Sequence, residues 1–137
     1  MQPPFFLLYV LVVPRSEAEE GRYQSEEALS SAQLKEFLVS FRLFLEGDGR
    51  HNLWIHSLAQ GSTLVYDRHN VIYAYGPLEM FAATLVRQGL AEQSDVRFPD
   101  PHAHHYIAEF DSEENRLLHY LPWKTSPLRT GDTNPGE

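Results

Sequence analysis

Between residues 53 and 75, three strand-like segments follow one another with only a few residues between them. This crowding limits the fold more than any other feature of the chain. Residues 53–58 include Trp54 and Ile55, residues 63–68 come after a turn at Gly61-Ser62, and residues 71–75 follow the polar break His69-Asn70. A parallel return needs a crossover of about a dozen residues or more, so these segments can pair only as an antiparallel meander. Along the third segment Val71, Tyr73 and Tyr75 share one face, with Ile72 and Ala74 on the other.

Residues 5–13 read Phe-Phe-Leu-Leu-Tyr-Val-Leu-Val-Val, an unbroken apolar run closed by Pro14. The run is too short for a membrane-spanning helix. Its length suits a signal-peptide core, but Met1 to Pro4 bring no Lys or Arg, and Pro14-Arg15-Ser16-Glu17 offers no small-residue cleavage site. A β-strand fits better, since the run is rich in Val, Phe and Tyr. With neither face turning polar, the strand should be covered on both sides, as a central strand is. A cytoplasmic location is the corresponding expectation.

Two helices are expected beside these strands. The first spans residues 31–46, with Ser30 as N-cap and Gln33 at capping-box spacing. Leu34, Phe37, Leu38, Phe41, Phe44 and Leu45 recur at three- and four-residue intervals to make its buried stripe, and Gly47-Asp48-Gly49 ends it. The second spans residues 77–88, from Pro77 to a stop at Gly89, with Leu78, Phe81, Ala82, Leu85 and Val86 expected in the core. Residues 15–30 read as a polar loop, and residues 104–110 as a further strand. Asp111 and Glu114 repeat the capping-box spacing ahead of a short helix at 112–120.

Strand, helix, meander and helix in that order define an α+β domain. The sheet is small, antiparallel or mixed, and combines the central N-terminal strand with the three-stranded meander. Two main helices pack on one face and a short helix follows near the C-terminus. A chain of 137 residues makes one such domain, assigned to 1–124, with a mobile tail at 125–137.

The chain has no cysteine, which removes disulfides, Cys-zinc sites and thiol catalysis. Of its seven histidines, three cluster in Pro101-His102-Ala103-His104-His105-Tyr106. On a strand His102 and His104 would share a face and, with Glu109, could hold a divalent transition metal. The spacing His102-x-His104-x4-Glu109 resembles the first metal motif of cupins. Val96 and Arg116 stand where that motif has glycines, however, and no second His motif follows. His51 and His56 flank Trp54 on opposite strand faces, and Asp67-x-His69 has the spacing for a carboxylate to orient an imidazole. Ser57 and Ser62 lack the Gly-x-Ser-x-Gly setting of a nucleophile elbow, and Gly47-Asp48-Gly49 lacks the Lys-Ser/Thr of a phosphate loop.

Charge and aromatics point toward interaction rather than catalysis. The formal net charge of −8 disfavours nucleic acid as a partner, and Glu17, Glu19, Glu20, Glu26 and Glu27 crowd one short stretch. Trp54, Tyr73 and Tyr75 would stand on a sheet face left open if the helices cover only one side. The expected function is thus a non-enzymatic protein-interaction domain without a cofactor, binding a protein partner such as a basic toxin in the manner of an acidic inhibitor, or homodimerising. A small metal-dependent or histidine-based enzyme using His102, His104 and Glu109 is the alternative. Neither nucleic acid nor membrane is expected as a partner.

Overall fold

The computed structural model describes residues 1–94 and 105–135. Six antiparallel strands form one sheet: β1 (Phe5–Leu11), β2 (Gly21–Ser25), β3 (His51–Ser57), β4 (Ser62–Tyr66), β5 (Ile72–Tyr75) and β6 (Trp123–Ser126). Their order is β5-β4-β3-β1-β2-β6, so the apolar N-terminal run is a central strand and the meander β3-β4-β5 fills one side of the sheet. Four α-helices among the described residues accompany it: α1 (Ser31–Ser40), α2 (Arg42–Gly47), α3 (Leu78–Arg87) and α4 (Asp111–Leu118). Among the described residues, no helix is long and apolar enough to cross a membrane.

The core lies between the sheet and α1, α2 and α4. Leu7, Tyr9 and Leu11 of β1 alternate inward and meet Phe37, Phe41 and Phe44 of the helical layer. The capping box forms as the sequence requires, with Ser30 Oγ accepting from Gln33 N and Gln33 Oε1 accepting from Ser30 N. The single helix expected over 31–46 is instead broken at Phe41, which sits at φ −114° and ψ 13°. Arg116 makes that break tolerable: its guanidinium lies 4.2 Å from the Phe41 ring centroid and donates to the Ser40 carbonyl at 2.8 Å. A carbonyl released from the helix ladder thereby keeps a partner.

Four further expectations are corrected. The polar stretch 15–30 contains β2, whose inward residues are Gly21, Tyr23 and Ser25; Ser25 Oγ accepts from Leu7 N at 3.0 Å. The described part of the strand expected at 104–110 is irregular chain running into a 3-10 turn, Ala108–Phe110. Asp111 and Glu114 do not cap α4, whose N-cap is Phe110; both carboxylates turn to Arg50 instead. The fourth concerns α3, which buries none of its residues: Leu78 is 63% exposed, Leu85 50% and Val86 63%. Helical packing on one face is therefore the work of α1, α2 and α4.

The segment expected to be a mobile tail from residue 125 takes part in the fold. Thr125 and Ser126 belong to β6, which pairs with β2, and Asp132 is buried farther on. The Asp132 carboxylate accepts from Arg22 Nη1 at 2.6 Å, and its carbonyl accepts from Asn52 Nδ2 at 2.7 Å. Arg22, Val10 and Asn52 stand side by side across β2, β1 and β3, so Asp132 bridges over Val10 and seals that stretch of β1 from water.

Candidate functional site

Three places concentrate chemistry: a buried polar cluster under the helices, the sheet face away from them, and a groove beside α1 and α2. The cluster centres on Arg50, which is fully buried. Its guanidinium donates to Asp48 at 2.8 and 2.9 Å, to Asp111 at 2.9 Å and to the Ile107 carbonyl at 3.1 Å. Glu114 Oε2 lies 3.5 Å from Arg50 Nη1 and accepts from the Ser16 hydroxyl, while Glu114 Oε1 has no partner among the described residues. Burial alone would raise the Asp48 pKa, but hydrogen bonds from Arg50 and from the Ile107 amide hold it below its ordinary value. Burial likewise acts to lower the Arg50 pKa, and Asp48 and Asp111 override it and raise it.

Tyr9 and His51 form a second buried pair beside this cluster. The Leu45 carbonyl can only accept, so His51 Nε2 carries the proton and donates to it across 3.2 Å. Nδ1 is then the acceptor for the Tyr9 hydroxyl at 3.1 Å. Burial lowers the His51 pKa to about 4, against a raising effect of the Leu45 hydrogen bond. Burial, followed by the Glu114 charge, raises the Tyr9 pKa well above its ordinary value. Both groups are locked in their neutral forms at neutral pH. The side chains are closed off from solvent and serve as internal polar struts.

The sheet face turned away from the helices is aromatic and partly exposed, with Val65 and Val10 buried in it. One row across it reads Gln24, Leu8, Trp54, Val65, Tyr73, and the next reads Phe6, His56, Thr63, Tyr75. Trp54 and Tyr73 are half-buried and Tyr75 is 50% exposed. The structure thus brings together Trp54, Tyr73 and Tyr75, the three aromatics singled out from the sequence. The C-terminal segment from Thr130 to Pro135 borders Trp54 and Tyr75 along a cleft of about 340 Å³ that also touches Leu8 and Arg22.

The five glutamates stay at the surface but do not make one patch. Glu17, Glu19 and Glu20 precede β2, and Glu26 and Glu27 follow it. Five residues of strand place the two groups roughly 17 Å apart, about twice the Debye length at physiological ionic strength. Glu19, followed by Glu114, adds to burial in raising the Tyr23 pKa.

The histidine alternative falls largely outside the described residues. His102 and His104 lie outside the described residues, and Glu109 is exposed in the 3-10 turn. Among the described residues no three His, Asp or Glu side chains could hold a metal ion. His51 and His56 do occupy opposite faces of β3, the first buried with Tyr9 and the second bonded to Thr63 at 2.8 Å. Asp67 organises the β4–β5 turn, accepting from the amides of His69 and Val71 at 2.9 and 3.0 Å. Its second oxygen lies 3.3 Å from His69 Nδ1, so Asp67-x-His69 works as a turn brace.

The groove was not anticipated. It holds about 630 Å³ between the helical layer and the sheet, with Leu38 and Leu45 on one wall and Ile55, Leu64 and Ile72 on the other. It exists because α1 and α2 cover β1 and β3 without reaching β4 and β5. The only sequence signal for it was the inward pair Ile72 and Ala74, apolar residues on the last strand of the meander. Comparison of the chain with protein-family models, with curated proteins and with solved structures finds no match.

Proposed function

We propose that this chain is a non-enzymatic protein-interaction domain whose contact surface is the open sheet face around Trp54, Tyr73 and Tyr75. The observation that carries this reading is the collection of those aromatics on neighbouring rows of a face that no helix covers among the described residues. Trp and Tyr bring large contact area with little loss of side-chain freedom, and they dominate the centres of protein interfaces. The polar groups that are best organised, Arg50 with its carboxylates and Tyr9 with His51, are buried and occupied with each other. The net charge of −8 favours a basic partner, with the exposed glutamates at both ends of β2 speeding its approach.

The test is affinity capture from the source organism with the wild-type chain and with a Trp54→Ala, Tyr75→Ala variant in parallel. A protein retained by the first and lost by the second, with unchanged circular dichroism, supports the reading. Equal retention by both removes the sheet face from consideration. With the captured partner in hand, Glu19→Gln with Glu20→Gln is expected to slow association severalfold at low salt and to leave dissociation unchanged. An unaltered association rate removes the steering role.

A further inference from the structure

The helix α3 and the groove are each incomplete, and each has the shape of what the other lacks. Isolated helices shorter than about 12–15 residues are marginal in water, and most helices in proteins are held by a packed apolar face. α3 has 10 residues, none of them buried, yet Leu78, Phe81, Ala82, Leu85 and Val86 fall on one stripe. The groove is the complementary case: an apolar trough whose sheet wall, Ile55, Leu64 and Ile72, is covered by no helix among the described residues.

α3 cannot reach the groove of its own chain without rebuilding the start of the helix. Gly76 joins β5 to the helix at φ +122°, a conformation that L side chains rarely adopt, and a Cβ there would lie 3.0 Å from Ser62 Cα. The backbone at this joint is thus pressed against the β3–β4 turn. Gln60 of that turn also reaches Met80 Sδ at 3.5 Å. These contacts hold α3 at the Tyr75 end of β5, whereas the groove closes at the other end, around Ile72 and Asn70.

We propose that two copies of the chain pair about a two-fold axis, each laying α3 in the groove of the other. Charge at the two surfaces permits a second copy as the occupant. A net charge of −8 opposes self-association, and contacting surfaces without net charge of their own add nothing to that repulsion. α3 has one acid, Glu79, and one base, Arg87; the groove lining has Arg42 and Glu46, paired with each other at 3.2 Å. The area agrees. Val39, Ile72, Leu78, Leu85, Val86 and Leu90 are each at least half exposed. At roughly 100 Å² for each buried aliphatic side chain, doubled by symmetry, they supply about 1,200 Å². That is the lower end of the range for a stable interface. An isologous contact of this kind closes on itself as a dimer and leaves the aromatic sheet face of each copy free.

The experiment is light scattering on the full chain after size exclusion, loaded at roughly 100 µM, where a micromolar interface is saturated. The wild-type chain is expected at twice its 15.8 kDa mass. Leu85→Glu on the helix and Ile72→Glu in the groove are each expected to return it to the single-chain mass with unchanged circular dichroism. Both positions are exposed in the single chain, so neither substitution burdens the core. A wild-type monomer overturns the proposal. So does a dimer that survives Ile72→Glu, which would place α3 on some other surface, and so does a dimer that only Trp54→Ala dissolves.

Discussion

His51 carries the pH dependence that belongs to single residues. Its imidazole is neutral and buried, with a pKa lowered from 6.5 to about 4 by burial. The unfolded chain therefore binds a proton near pH 6.5 that the folded chain refuses until about pH 4. Between those values stability falls as pH falls, by about 3 kcal/mol in total from this group. Asp48, held below its ordinary value by Arg50 and the Ile107 amide, contributes stability that is lost only at lower pH still, as its own folded-state pKa is crossed. The two effects thus occupy separate windows. Urea unfolding measured at intervals from pH 7 to pH 4 should show the loss, and His51→Gln should flatten it. The glutamine amide can still donate to Leu45 and accept from Tyr9 but binds no proton. An unchanged slope in that variant would place the dependence elsewhere. The cluster around Arg50 obeys a different rule. Removing one partner there would leave another charge buried and unpaired, so the cost of breaking the cluster exceeds what its assembly contributes.

At the scale of elements, the C-terminal segment shows both how far the sequence can be read and where reading stops. Residues 125–137 are polar, with Pro, Thr and Gly in quantity, and composition of that kind normally marks a tail. What fixes 129–135 is the meeting of Asp132 with Arg22 and Asn52, residues 110 and 80 positions away, and no local pattern announces it. β2 escaped for the same reason: Gly21-Arg22-Tyr23-Gln24-Ser25 has a single apolar side chain and is a strand because β1 and β6 flank it. The Arg50 cluster gathers residues 16, 48, 50, 111 and 114, again by tertiary approach alone. The elements that were legible declare themselves locally: β1 by its apolar run, the meander by its spacing, and α1 by Ser30 and Gln33. The aromatic face was legible too, because strand alternation placed Tyr73 and Tyr75 together before any partner strand was known. Asp132→Ala should cost about 1–3 kcal/mol, from a lost charge-assisted hydrogen bond and from Val10 opened to water. The Trp54 beside that cleft should shift its emission to longer wavelength as water reaches it. A variant as stable as the parent, with unshifted emission, would show that the segment does not hold β1.

At the scale of the whole molecule, stability should grade from the middle of the sheet outward. β1 is flanked on both sides by hydrogen-bonded strands, covered on one face by the helical layer and, at Val10, on the other by the bridge through Asp132. β5 is an edge strand, and α3 beyond it has no fully buried residue. Local opening follows burial: segments with few buried apolar contacts exchange their amide hydrogens through low-energy openings, whereas core strands exchange only when the molecule unfolds. Amides of β1 and β3 are therefore expected to be the slowest to exchange, at the global unfolding limit. Those of α3 should be among the fastest in a dilute sample, where single chains prevail. Helix-in-groove pairing makes the second expectation depend on concentration. Protection of α3 should rise with protein concentration, and the groove wall at Leu38 to Leu45 should gain protection with it, while β1 stays as it was. Hydrogen exchange read by mass spectrometry at two concentrations tests both ends of the gradient at once. Protection of α3 that is high and independent of dilution would mean the helix finds its cover within its own chain. Protection that is low at every concentration would mean the helix finds no cover in a second copy.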